Sequence, residues 1–271
     1  MATAAAAADL TVRGEPVERV YGNFVARRFV VNRRYQRKLI WTVEEKHEFI
    51  DSLIKGFPVA IILLAESANR ESNELEIIDG MQRMDAIVSY IENKFPYQGN
   101  FFDLESMAVA KANSDEGLIA QKEPKLDRAS CVRIASYLVP LSIYEFADDA
   151  AVDTVFRRIN SGGRQLSRQE LRSAGATGHF PTVVRRLAAK IRGDDSLSDL
   201  LKLNEMQSIS VTNRDLEYGI DVDQMFWVKE GILARDTVRK SQDEEIIADI
   251  VAYMVGDEPI ASRTEFLDEY Y

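Results

Sequence analysis

Asp79-Gly80-Met81-Gln82-Arg83 places a carboxylate, a turn-permissive glycine, an amide and a guanidinium within five residues. The residues before it, Leu75-Glu76-Ile77-Ile78, read as a β-strand. After it, Met84, Ile87, Val88 and Ile91 recur at i, i+3, i+4 and i+7, the face of a helix. A strand that turns through glycine into a helix presents unpaired N–H groups at the positive end of the helix dipole, which suits an anion. Gly80 permits a tight turn and the close approach of a ligand. Arg83 falls in the first helical turn, where a cation is disfavoured unless an anion sits nearby. Its planar fork can grip a phosphate with two bonds. Asp79 can hold Mg²⁺ or position an attacking water, and Gln82 can orient a water or hold a base or ribose. The same residues also suit a plain helix start, with Asp79 as N-cap, Gly80 easing the turn and Arg83 on the surface.

The flanking elements must aim this turn. Thr42-Val43-Glu44-Glu45 is a capping box and Gly56 a terminating glycine. They predict a helix over about 43–55, with Val43, Ile50, Leu53 and Ile54 buried. Pro58 stops it. Residues 59–65 read as a buried strand, 66–73 as a loop, and the helix after Gly80 is predicted to reach about Phe95. Residues 96–130 suggest short elements and loops. Tyr137 to Phe146 reads as a strand that begins near Cys131 and is interrupted by Pro140. A helix is predicted near 149–159, ended by Asn160-Ser161-Gly162-Gly163. Ser167-Arg168-Gln169-Glu170 caps another, and Pro181 opens one that runs to about 192. Further helices are expected at about 195–203, 223–233 and 243–255, the last capped by Ser241-Gln242-Asp243-Glu244. A final box, Ser262 to Glu265, opens a short helix that must dock on the body or belong to a longer chain. The expected fold is α+β. Residues 1–18 are read as a flexible tail, 19–146 as a nucleotide-binding α/β domain and 147–271 as a mostly helical domain.

Composition removes several function classes. The longest apolar run, Val59 to Ala65, is far short of the roughly 18 residues a membrane span needs. The N-terminal alanine run has no basic n-region, and the single cysteine supports neither a disulfide framework nor a thiolate cluster, so a cytoplasmic location is expected. His47 and His179 are too far apart in sequence to suggest a zinc site. No Walker A run, Gly-x-Ser-x-Gly elbow or HNH nuclease signature is present. A net charge of −10 argues against a general DNA-coating protein. That charge is uneven. Residues 19–40 carry seven basic side chains and no acid, 154–192 nine basic and one acidic, and 194–271 seven basic and nineteen acidic. Either basic segment can meet phosphates or form a solvated face.

Three segments occur in order: Asn32-Arg33-Arg34-Tyr35-Gln36-Arg37 with Trp41, then Ile78 to Arg83, then Phe156-Arg157-Arg158-Ile159-Asn160-Ser161-Gly162-Gly163 with Leu166-Ser167 and Glu170-Leu171. Together they resemble the N-terminal domain of GmrSD-type restriction endonucleases, a family marked by an Asp-Gly-Gln-Gln-Arg motif, over roughly residues 20–175. The Gly-x-x-Arg turn is also similar to that of the wider ParB and sulfiredoxin group, which holds a nucleotide phosphate there. The resemblance implies Mg²⁺-dependent hydrolysis of nucleoside triphosphates in phage defence, beside a nuclease domain or subunit that cuts modified DNA. It implies that Asp79, Gln82 and Arg83 are catalytic, with Asp79 also the metal ligand. Gly80, Gln36, Arg37 and Asn160 would contact the nucleotide. Arg33 and Arg34 are candidates for nucleic-acid phosphates. Two departures stand out: Met81 replaces a glutamine, and Arg33-Arg34 stands where proline is common. Sulfiredoxin chemistry needs a cysteine inside the turn, and Met81 supplies no thiol. Cys131 reads instead as a small core residue. Tyr35 and Trp41 can stack on a base or pack in the core.

The expected activity is therefore an Mg²⁺-dependent nucleoside triphosphatase that regulates or partners a nuclease, with DNA as a further partner. Two alternatives stay open. One is a ParB-like nucleotide switch that binds DNA with little hydrolysis, and the other is a non-catalytic subunit of a defence complex.

Overall fold

The computed structural model describes residues 10–34, 38–67, 73–146, 155, 167–173, 176, 178–196, 198–211, 216–256, 267–268 and 270–271. The fold is α+β: one mixed sheet in the first part of the chain and helices in the second. The strands are β1 (Leu10–Pro16), β2 (Phe29–Asn32), β3 (Ile62–Ser67), β4 (Leu75–Asp79), β5 (Leu138–Phe146) and β6 (Leu200–Lys202). They lie in the order β1-β5-β3-β4-β2-β6. β2 runs parallel to β4 and β3 parallel to β5, while β3 and β4 are antiparallel neighbours at the centre.

Four helices serve this sheet: α1 (Val17–Val25), α2 (Val43–Lys55), α3 (Met81–Ile91) and α5 (Arg128–Ser136), with α4 (Ala108–Asp115) between the last two in sequence. The capping box of α2 forms as predicted, with Thr42 and Glu45 each bonded to the other's backbone N–H, and Gly56 closes the helix at φ 71°. α3 is buried on nearly every side, from Met81 and Met84 through Ala86 and Val88 to Ile91. Such a helix is held by tertiary packing rather than by propensity.

The second part contains α6 (Arg168–Ser173), α7 (His179–Arg192), α8 (Leu203–Met206), α9 (Phe226–Lys229), α10 (Arg235–Arg239) and α11 (Gln242–Val255). Val184 and Ala188 of α7 pack with Ile247, Ala248 and Ala252 of α11, Trp227 and Leu267 in a separate core. The Ser167–Glu170 box forms in both directions. The C-terminal residues dock on the body: Leu267 is buried, and the Tyr271 hydroxyl meets Gln169 at 2.6 Å.

Several expectations are corrected. Within the supposed tail, Leu10–Pro16 form an edge strand paired antiparallel with β5, and Val17 opens α1. Cys131 is in α5, not in a strand, though it is fully buried as a core residue. Pro140 does not interrupt β5. It pairs opposite Gly14, one residue before the pairing with β3 begins at Leu141, so its missing N–H weakens no central ladder there. Residues expected as a helix over 195–203 instead supply β6, which pairs antiparallel with β2. Leu203, Met206 and Leu216 then join the first core, so the sheet draws on both parts of the chain. The 223–233 helix shortens to a 3-10 turn at Val222–Gln224 followed by α9.

Candidate functional site

The parallel pairing of β2 and β4 brings the first two sequence motifs together. Val31 lies opposite Ile77, so the carboxyl ends of both strands open on the same edge of the sheet. β4 continues into Asp79-Gly80 and α3, and β2 continues into Arg33-Arg34. In open sheets this is where ligands bind, outside the carboxyl ends of strands.

Gly80 is the N-cap of α3 and has φ +100°, a left-handed conformation that side-chain-bearing residues rarely adopt. A Cβ at this position would lie 2.9 Å from Ile62 Cγ1 of β3. The helix start has no side-chain cap and no acid in its first turn. The N–H groups at the start of α3 therefore lack the usual internal anion. Arg83 folds back so that Nη2 donates to Asp79 Oδ2 at 2.8 Å. The Asp79 side chain is half-exposed, whereas that of Arg83 is only 13% exposed. The two groups expected to meet metal and phosphate therefore hold each other. Met81 is buried in the core cluster, so its side chain does not face this edge.

Gln82 bonds to the strap that follows the first motif. Its Oε1 accepts from the N–H groups of Ile40 and Trp41 at 2.9 and 3.1 Å, and its Nε2 donates to the Lys38 carbonyl at 2.9 Å. Trp41 packs edge-on against Phe49, a core role. Lys38 itself is buried, a position the sequence did not reveal. Its ammonium donates to the Val238 carbonyl and to Ser241 Oγ, each at 2.9 Å. Burial, followed by the nearby Arg192, pulls the Lys38 ammonium down to about 8, against the opposing carboxylates Glu244, Asp243 and Glu170. Ser241, expected to cap α11 with its side chain, has φ 61° and makes no side-chain cap bond. Its hydroxyl serves Lys38 instead.

Three arginines of the basic segment find their acids far along the chain. Arg33 is mostly buried and paired with Asp194, and its Nη1 donates to the Ser196 carbonyl at 3.2 Å. Arg34 lies 3.6 Å from Asp199 and stays more than a third exposed. Arg27 pairs with Glu205. Arg33 is thus committed within the fold, and Arg34 is the more accessible of the two. Gln36, Arg37 and Asn160, the expected nucleotide contacts, lie outside the described residues, as does Tyr35. The helix predicted near 149–159 does too, apart from Val155. Among the described residues no group of three or more His, Cys, Asp or Glu side chains is arranged to hold a metal. Asp79 is a single carboxylate. Cys131 has a core role: burial pushes its thiol up, and the sulfur accepts from the Asp103 N–H at 3.4 Å.

The family model for the N-terminal domain of GmrSD restriction endonucleases matches residues 21–176. The chain belongs to this family. No curated protein matches it. The GmrSD match spans β2, β3, β4, β5 and α3, and so includes every residue of the turn and strap. It places the chain in a restriction, phage-defence setting. α7 and everything after it, including Lys38's acceptors on Val238 and Ser241, lie beyond the GmrSD match. No helix among the described residues is long and apolar enough to cross a membrane.

Proposed function

We propose that this GmrSD family member binds a nucleoside triphosphate with Mg²⁺ at the Asp79–Arg83 turn, hydrolyses it, and thereby regulates a nuclease domain or subunit acting on DNA. The observation that carries the reading is the Asp79–Arg83 pair beside the uncapped start of α3, at a glycine that cannot carry a side chain. A half-exposed ion pair of this kind is worth about 0–1 kcal/mol. Hydrogen bonds to a charged phosphate contribute about 1.5–3 kcal/mol. An arriving nucleotide can therefore displace the pair, drawing Arg83 to phosphate and leaving Asp79 free. With one carboxylate and no cage, the residues fit an Mg²⁺ that arrives on the nucleotide, since this ion is commonly held by one or two carboxylates plus substrate phosphates. The ion would supply neutralisation of charge on the phosphates. Asp79 would orient the ion or the attacking water, and Gly80 would let the backbone approach. Gln82, with its amide committed to residues 38–41, acts as a positioning residue for the strap that follows Gln36 and Arg37 in sequence. Met81 departs from the family glutamine at a buried position, which leaves the phosphate cradle intact.

A second reading, a nucleotide switch with little turnover, is favoured by the Gln82–Lys38 connection, which ties the turn to α10 and α11 whether or not hydrolysis occurs. Binding and phosphate release should be measured with Mg²⁺ and each of the four nucleoside triphosphates. Arg83→Ala is expected to weaken binding at least tenfold, and Asp79→Ala to abolish release while retaining most binding. Tight binding without release by the wild-type protein selects the switch. Unchanged binding in Arg83→Ala removes the turn from the site.

A further inference from the structure

A cavity of about 310 Å³ opens beside the end of β2, lined by Arg33 and by Arg185, Arg186, Lys190 and Arg192 of α7. None of residues 79–83 lines it. Acids line it too, but most are already answered. Asp194 pairs with Arg33, Asp199 with Arg34, and Glu244 shares Arg192 with Asp243. The buried Lys38 ammonium adds a further positive charge beside that last group. Asp195 shares the lining with Arg186 and Lys190, so these three leave one positive charge in surplus. Arg186 and Lys190 are exposed, one helical turn apart, and have no ion-pair partner among the described residues. The Nε of Arg33 is buried without a hydrogen-bond partner. Thr182, Ser196 and Ser198 add hydroxyl groups to the lining.

We infer that this cavity is a second phosphate-binding site, independent of the Asp79–Arg83 turn, and that it takes the backbone of a nucleic acid. Cations and hydroxyls together suit phosphate oxygens. No aromatic side chain lines the cavity, so a base has nothing to stack on. Its volume is at the low end for a pocket that encloses a whole small ligand. Arg186 and Lys190, in a row at the rim, can reach successive phosphates of one strand. The contact is to backbone and reads no sequence.

The test uses the full chain with three probes: a short duplex DNA, ATP and inorganic phosphate, each titrated over a salt series. The variant is Arg186→Gln/Lys190→Gln, which keeps two good helix formers on an exposed face. Duplex affinity is expected to fall at least tenfold, and the dependence of log K on log salt to flatten by about 2, since each phosphate contact contributes about 0.9. Thermal unfolding should be unchanged. Arg83→Ala should leave duplex binding intact, so failure of the turn and failure of the cavity are separable. A loss confined to ATP or inorganic phosphate would assign the cavity to a free phosphate and overturn the backbone assignment. Equal binding of all three probes by the variant, or no binding by the wild type, overturns the site.

Discussion

At Gly80 two constraints coincide, a φ of +100° and an Ile62 methylene 2.9 Å from where a Cβ would stand. Neither relieves the other, because rotating the backbone out of the left-handed region would turn the start of α3 away from β4. Gly80→Ala is therefore expected to destabilise the protein by about 1–3 kcal/mol, the usual cost of backbone strain at such a site. It should also weaken nucleotide binding more than Met81→Leu, a conservative exchange within the core. Urea unfolding and calorimetric titration of the two variants read this directly. Equal binding by both would show that the turn geometry does not matter to the ligand. Neighbours in the turn have separate duties. Asp79 and Arg83 hold each other at a half-open surface, whereas Gln82 makes three bonds to backbone groups. A loss at Gln82 should therefore disturb the strap over residues 38–41 rather than the proposed phosphate site alone.

Among the elements, α3 has the hardest task, because it is buried nearly all round and yet carries Asp85. That carboxylate is fully buried and meets the Lys46 ammonium of α2 at 2.5 Å, while Gln207 Nε2 reaches its other oxygen at 3.1 Å. Lys46 also meets the Tyr218 hydroxyl at 2.6 Å, and burial, followed by the nearby Asp85, pushes that phenol well above its ordinary range. The cluster ties α2 and α3 to Gln207 and Tyr218. Removing one partner leaves the other charge stranded in the core. Asp85→Ala is expected to cost about 3–5 kcal/mol, while the paired change Lys46→Met/Asp85→Leu should cost much less, because no lone charge remains. Chemical denaturation of the single and double variants measures the difference. If both lose the same stability, the ion pair is not what holds α3.

Across the whole molecule, Lys38 connects the two parts of the chain, its carbonyl on Gln82 and its ammonium among α10, α11 and Arg192. Unfolded, this group keeps its proton up to about 10.5; folded, it releases it near 8. Between those values the unfolded chain binds more protons, so this contribution makes stability rise with pH. The gain is lost as pH falls through 8, below which keeping Lys38 charged costs about 3 kcal/mol relative to its neutral form. Lys38→Met should remove that rise. Urea midpoints for wild type and variant between pH 7.5 and 10 are expected to diverge in slope, and parallel profiles would refute the burial of the charge.

Signals confined to a few residues were legible in the sequence. The capping boxes at Thr42 and Ser167, the glycine after α2 and the strand–glycine–helix turn at Gly80 all depend on bonds within about one helical turn, so residue type and spacing suffice to mark them. Even there a distant group can intervene: Ser241 had the spacing of a cap, but the Lys38 ammonium, 203 residues away in sequence, takes its hydroxyl. The edge strand at Leu10–Pro16, the addition of β6 to β2, and the Arg33–Asp194 and Arg192–Asp243 pairs were not legible. An acid-free run such as 19–40 reads as a surface awaiting anions until the fold brings Asp194, Asp199 and Glu205 against it. Sequence by itself determined the α+β class, the strand–glycine–helix turn and the family. Only the tertiary structure decided which charges are answered within the chain, because ion pairing depends on distance in space and the core decides which distant segments meet.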